Sequence, residues 1–262
     1  MTVPPIVCYH KVDTRFELGF TQLEPRVFRR QVETLARLGW RSLGSADLAA
    51  ALVDPPHLAP RPTHLVLTFD DAYASLAEHA FPVLADLGLR ALVFVITDYA
   101  GRENTWDVQY GWRRFRHLSW DQLGTWQERG IEVHAHGATH ARLTGRGDRE
   151  AADELGRARE AIRANLGTAP AGIGYPFGAV DERVRALAVQ AGYSLGFAGP
   201  APQPPDPMRL PRLPVYQWDR AGIPFVLRSG GLGPLARGAA RLTNRIAVGT
   251  AVFQKVLGSR YR

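Results

Sequence analysis

An α/β fold built as a β/α barrel is the class that this chain of 262 residues predicts. Short runs rich in Val, Ile and Leu alternate with longer stretches of helical period, the pattern of a repeating strand and helix unit. Most of the helical stretches stop at a glycine, the usual terminator. Polar residues fall directly after the apolar runs, at His10, Asp70 and Asp71, His136 and the segment 175–178. That is where a β/α barrel assembles a site, although a doubly wound sheet also binds at strand ends and stays open as the alternative.

The first strand is Ile6–Tyr9, an apolar run ending at His10. A helix over 25–39 follows, with Val27, Gln31, Leu35 and Leu38 on one face and Gly39 at its end. Ser45 opens the next, which runs to Val53. Strands are expected at His64–Phe69 and 91–97, and then Ser119 caps a helix that ends at Gly130. Ile131–Ala135 is a strand leading to His136, and a helix over 148–167 turns Leu155, Ile162 and Leu166 inward. The last units are a strand at 172–175, a helix capped by Asp181 and ended by Gly192, and a strand at 194–198.

Hydrophobic residues make up 45% of the chain without a biased tract, enough for one large core in residues 1–220. Residues 221–262 read as a basic amphipathic helical extension. No acidic residue follows Asp219, and Leu235, Leu242, Ile246, Phe253 and Leu257 form one stripe while Arg237, Arg241 and Arg245 form another. Such a helix packs on the barrel or docks on an anionic membrane or a partner enzyme. The net charge of +7 suits an acidic partner, but no nucleic-acid-binding signature is present and none is expected as a partner. The single cysteine, Cys8, implies no disulfide, and no run approaches the ~18 apolar residues of a membrane span. A cytoplasmic protein, peripheral to a membrane if that helix docks, is the expectation.

Val66-Leu67-Thr68-Phe69-Asp70-Asp71 drives an apolar strand into two adjacent carboxylates, which cannot be buried together without a cation or a proton. One reading is a helix cap beside a solvated acid. The other is a metal ligand beside a general base. His136 and His140, four apart, complete a ligand set of two histidines and one carboxylate with Asp71, if 137–140 forms a helical turn. His134 shares a face with His136 and reads as a supporting or core residue. Tyr175-Pro176-Phe177-Gly178 is a rigid aromatic turn that can aim the Phe177 amide at a developing oxyanion, or simply lead into a helix. His10 reads equally as a general acid or a surface histidine. Trp106 and Asp107, with Tyr110, Trp112 and Phe115, either form an aromatic edge for a sugar ring or pack an insertion onto the barrel, and Arg113, Arg114 and Arg116 beside them face solvent or an acidic group.

With these residues in view the chain resembles the polysaccharide deacetylase family, carbohydrate esterase family 4. Thr68-Phe69-Asp70-Asp71 is similar to that family's first motif, His136 and His140 to its second, and Tyr175-Pro176-Phe177-Gly178 to the core of its third. The resemblance implies a distorted β/α barrel and metal-dependent hydrolysis, usually with zinc, of the N-acetyl group of an amino sugar. It makes Asp70 the base, Asp71, His136 and His140 the ligands, Phe177 an oxyanion donor and Tyr175 a substrate contact. Gly137 stands where the family has Ser or Thr, and Gly174 where it has the arginine that orients the base. Arg212 is the candidate substitute, the alternative being a surface charge. The late histidine that usually serves as acid is absent, and the chain instead resembles the subgroup with an early Tyr-His, which includes poly-N-acetylglucosamine deacetylases and gives that role to His10.

Overall fold

The computed structural model describes residues 3–15, 21–53, 63–105, 114–200 and 206–217. All described strands pair in parallel. The strands are β1 (Ile6–Tyr9), β2 (Lys11–Val12), β3 (Gln22–Leu23), β4 (Arg41–Ser42), β5 (His64–Phe69), β6 (Ala91–Val95), β7 (Ile131–Ala135), β8 (Gly172–Gly174), β9 (Leu195–Ala198), β10 (Leu210–Pro211) and β11 (Leu213–Pro214). The main sheet runs β10-β9-β8-β7-β6-β5-β1-β11, with β4 beside the start of β5. Because β10 and β11 are separated only by Arg212 yet pair with opposite edges of the sheet, this one segment nearly closes a barrel. The barrel expectation holds.

Side chains alternate across each strand. The outward positions, such as Val7, Tyr9, Leu67, Phe69, Val93, Val133 and Ile173, pack under the surrounding helices. Those helices are α1 (Pro25–Arg37), α2 (Ser45–Val53), α3 (Ser75–His79), α4 (Phe81–Asp86), α5 (Trp120–Gln127), α6 (Asp148–Leu166) and α7 (Glu182–Gln190). The inward positions begin apolar, with Ile6, Val66, Leu92, Phe94, Leu195, Phe197 and Leu210, and α2 plugs that end with Leu48 and Leu52. Two to four residues further along, the inward positions become polar: Cys8, His10, Thr68, Asp70, His136 and Arg212.

The helices keep close to their expected bounds. Ser119 and Gln122 exchange both bonds of a capping box at α5, the Asp181 side chain accepts from the Val184 N–H at α7, and Gly167 ends α6 in the left-handed region at φ 77°. The strand expected at 91–97 stops at Val95, because Thr97–Tyr99 turns into a 3-10 coil. The expected extension over 221–262 lies outside the described residues, and no helix among them is long and apolar enough to cross a membrane.

Candidate metal and catalytic site

Asp70 and Asp71 follow β5, and the chain turns sharply there: Asp71 and Ala72 adopt φ of 67° and 52°. Side chains other than glycine rarely occupy that region, and it persists only where the surroundings impose it. Here the return segment of the insertion does so. Leu118 N–H donates to the Ala72 carbonyl, Ala74 N–H donates to the Arg116 carbonyl, and the His117 ring bonds the Asp71 carbonyl through Nδ1. The twist turns the two adjacent carboxylates to different neighbours.

Asp71 faces the histidines. Its Oδ1 lies 3.5 Å from Nε2 of both His136 and His140, and the donor atoms of the three residues all lie within 4.8 Å of one another. The His136 Nδ1–H donates to the Gly174 carbonyl at 2.7 Å, which leaves a lone pair on Nε2 toward Asp71. Burial lowers the pKa of both rings, more strongly for His140, so both are neutral, as metal ligands must be. Two neutral imidazoles and a carboxylate with buried, convergent donors suit a divalent cation that keeps positions open for water and substrate. The helical turn expected at 137–140 does not form. Gly137 and His140 have φ of 79° and 64°, and the turn is fastened instead by Glu154 of α6, which accepts from the Ala138 and Thr139 N–H groups.

Asp70 turns to Arg212, with its Oδ2 also 3.8 Å from His136 Nε2. Arg212 donates to both of its oxygens, at 2.6 and 2.9 Å, and is itself only 5% exposed, so the expectation that a late strand returns this arginine to Asp70 matches the geometry and the surface alternative does not. Burial alone would raise the Asp70 pKa, but Arg212, then His136 and His10, hold it well below the usual carboxylate range. His10 brings Nε2 to 3.8 Å from Asp70 Oδ2, and burial lowers its pKa to about 4. The Cys8 thiol is buried, and its Sγ lies 3.5 Å from Asp70 Oδ2.

The third motif splits. Phe177 is held at φ 61° with its ring 4.8 Å from that of His140, so its ring borders the cluster. Tyr175, expected to touch substrate, does not present its side chain: it is fully buried and its hydroxyl donates to the Met208 carbonyl at 3.1 Å. Alternation explains the difference, since a residue on the outward face of β8 packs beneath a helix. Gly174 lies on the inward face and cannot carry the family's arginine. A Cβ there would meet Phe94 Cγ at 2.9 Å and His136 Nδ1 at 3.1 Å. Trp106, Asp107, Tyr110, Trp112 and Arg113 lie outside the described residues. Phe115 packs, 2% exposed, with the Lys11 ammonium 3.4 Å over its ring.

The profile of the polysaccharide deacetylase family matches residues 58–196. The chain belongs to the polysaccharide deacetylase family. Among solved structures, IcaB from Ammonifex degensii is 25% identical with a TM-score of 0.71, covering 86% of this chain and 94% of its own. The Streptococcus pyogenes deacetylase PplD, in complex with acetate, shares the fold at 20% identity and a TM-score of 0.69, covering 80% of this chain and 90% of its own. YxkH of Bacillus subtilis (strain 168), which bears a polysaccharide deacetylase name, is 24% identical over 192 residues, 73% of this chain. The match spans 63% of that relative's length. Glu154 and His117 could not be found from the sequence because neither sits near a motif; Cys8 alternates with His10 and so shares its face, but its place beside Asp70 follows only from the pairing of β1 with β5.

Proposed function

We propose that this protein is a metal-dependent N-deacetylase that hydrolyses the N-acetyl group of an amino sugar carried as a glycoside, glycolipid or nucleotide-linked intermediate in the cytoplasm. The observation that carries the proposal is the division of labour at 70 and 71: one carboxylate points at two neutral histidines while its neighbour is kept ionised by an arginine. Membership of the family supports the carbohydrate substrate.

Asp71, His136 and His140 would hold the ion, most simply zinc. When bound there, it would supply Lewis acidity toward the amide carbonyl and toward water. Asp70, ionised by Arg212, takes a proton from the attacking water. His10 is neutral at rest, and its Nε2 faces the Asp70 oxygen at 3.8 Å. A proton taken up by Asp70 passes to the neighbouring His10 imidazole, which gives it to the departing nitrogen as the C–N bond breaks. The Phe177 amide would donate to the carbonyl oxygen as it gains charge. The acetic acid so formed passes its proton to the amine, so acetate and the protonated amine leave and the proton count closes with Asp70 ionised and His10 neutral.

Acetate release from free, nucleotide-linked and lipid-linked N-acetyl amino sugars tests this, with and without a chelator and with Asp70→Asn as control. We expect turnover of at least one substrate, its loss on chelation and recovery with zinc, and a fall of roughly 100-fold or more in Asp70→Asn. Turnover of a formamide or a cyclic ureide with no acetylated sugar consumed would overturn the substrate class. Activity indifferent to stringent chelation would overturn the metal role.

A further inference from the structure

The turn that delivers His140 is fixed from outside the motif. Its carbonyls are held by the chain after β6, where Thr97 N–H donates to the Gly137 carbonyl at 3.2 Å and Asp98 N–H to the Ala138 carbonyl at 3.0 Å. Its donors converge on one carboxylate. Glu154 Oε2 accepts the Ala138 and Thr139 N–H groups, each at 2.9 Å, and Oε1 accepts the Thr139 hydroxyl at 2.6 Å. Glu154 is 8% exposed, so these bonds are shielded from competing water. The residue that follows is His140 at φ 64°, a conformation its own preferences do not favour. Gly137 makes room for this clamp, because a Cβ at 137 would stand 3.2 Å from Glu154 Oε2.

We propose that Glu154 is a positioning residue that holds His140 ready for the ion, performing from α6 what a hydroxyl at position 137 cannot perform here. This rests on the metal reading of Asp71, His136 and His140. An imidazole set in place before binding loses no conformational freedom when the ion arrives, and removing such a support typically lowers metal affinity by about 10- to 100-fold.

The test uses the full chain stripped by chelator, with zinc affinity measured by competition against a chromophoric chelator and folding by thermal melts of the stripped protein. We expect Glu154→Ala to melt cooperatively and to bind zinc about 10- to 100-fold more weakly, with Glu154→Gln recovering part of the loss. Glu160→Ala on the exposed face of α6, whose partner is Arg163, should leave affinity unchanged. Glu154→Ala binding zinc as tightly as the unaltered chain overturns the proposal. If Glu154→Ala fails to fold, Thr139→Val decides: it keeps both backbone bonds and loses only the hydroxyl, so several-fold weaker binding supports the clamp and unchanged binding overturns it. An unaltered chain that holds no zinc, or any other divalent ion, sinks the metal reading itself and with it this inference. An unaltered chain that holds zinc beside an equally tight Glu154 variant sinks only the role of Glu154.

Discussion

Gly174 shows how one residue sets the plan of the site. Its carbonyl fixes the His136 tautomer, while the space where its side chain would stand is filled by the Phe94 and His136 rings. Any Cβ at 174 must push one of them. Gly174→Ala should therefore cost about 1–3 kcal/mol of stability, as overpacking does, and weaken zinc binding at the proposed site, since His136 is one of the two rings that close on position 174. Urea unfolding of the metal-free protein and zinc competition would check the two effects separately. Gly174→Arg, which restores the family's residue, should not rescue an Arg212 variant, because an arginine started from 174 collides before it reaches Asp70. The motifs could be read from the sequence at this scale. The backbone that aims them could not, because the positive φ of Asp71 and His140 is imposed by distant partners and no local residue type announces it.

Among the elements, β5, β7 and the helices with caps were legible because their periodicity and end signals agree. The pairs β4, β10 and β11 have two residues each, too few to show alternation, and α3 and α4 are single-turn helices without a face of their own. The plug formed by α2 depends on a tie that no pattern reveals. Glu132, inward on β7, accepts from the Ser45 N–H at 2.9 Å and pairs with Arg90 at 3.2 Å, with His134 Nε2 at 3.5 Å. Burial would raise the Glu132 pKa, yet the bonds from His134 and Ser45 bring it from 4.5 to about 2. A carboxylate with a lowered folded value stabilises the fold fully above 4.5 and loses that contribution as pH falls from 4.5 toward 2. The unaltered protein should thus exceed Glu132→Gln by on the order of 3 kcal/mol near neutrality, with the gap closing in acid. Urea titrations of both proteins across that range would decide it, and a gap independent of pH would refute the assignment.

Across the whole molecule the closing of the barrel and the making of the site are one event. The segment from β10 to β11 joins the two sheet edges, and Arg212 at its centre reaches inward to Asp70 at the end of β5. The sequence offered an arginine between two Leu-Pro pairs, but its partner, 142 positions away, follows only from the closure. A charge pair this buried costs more to break than to replace. Arg212→Met leaves the Asp70 carboxylate buried without its counter-charge and should lower the stability of the metal-free protein by roughly 3–5 kcal/mol. Asp70→Asn strands the guanidinium in its turn. The double variant, with neither charge, should regain most of the stability lost by Arg212→Met while staying inactive, because the proposed base is gone. A double-mutant cycle by urea unfolding gives the coupling directly. If the two losses simply added, Arg212 and Asp70 would be independent, and the seam of the barrel would owe its strength to strand pairing alone.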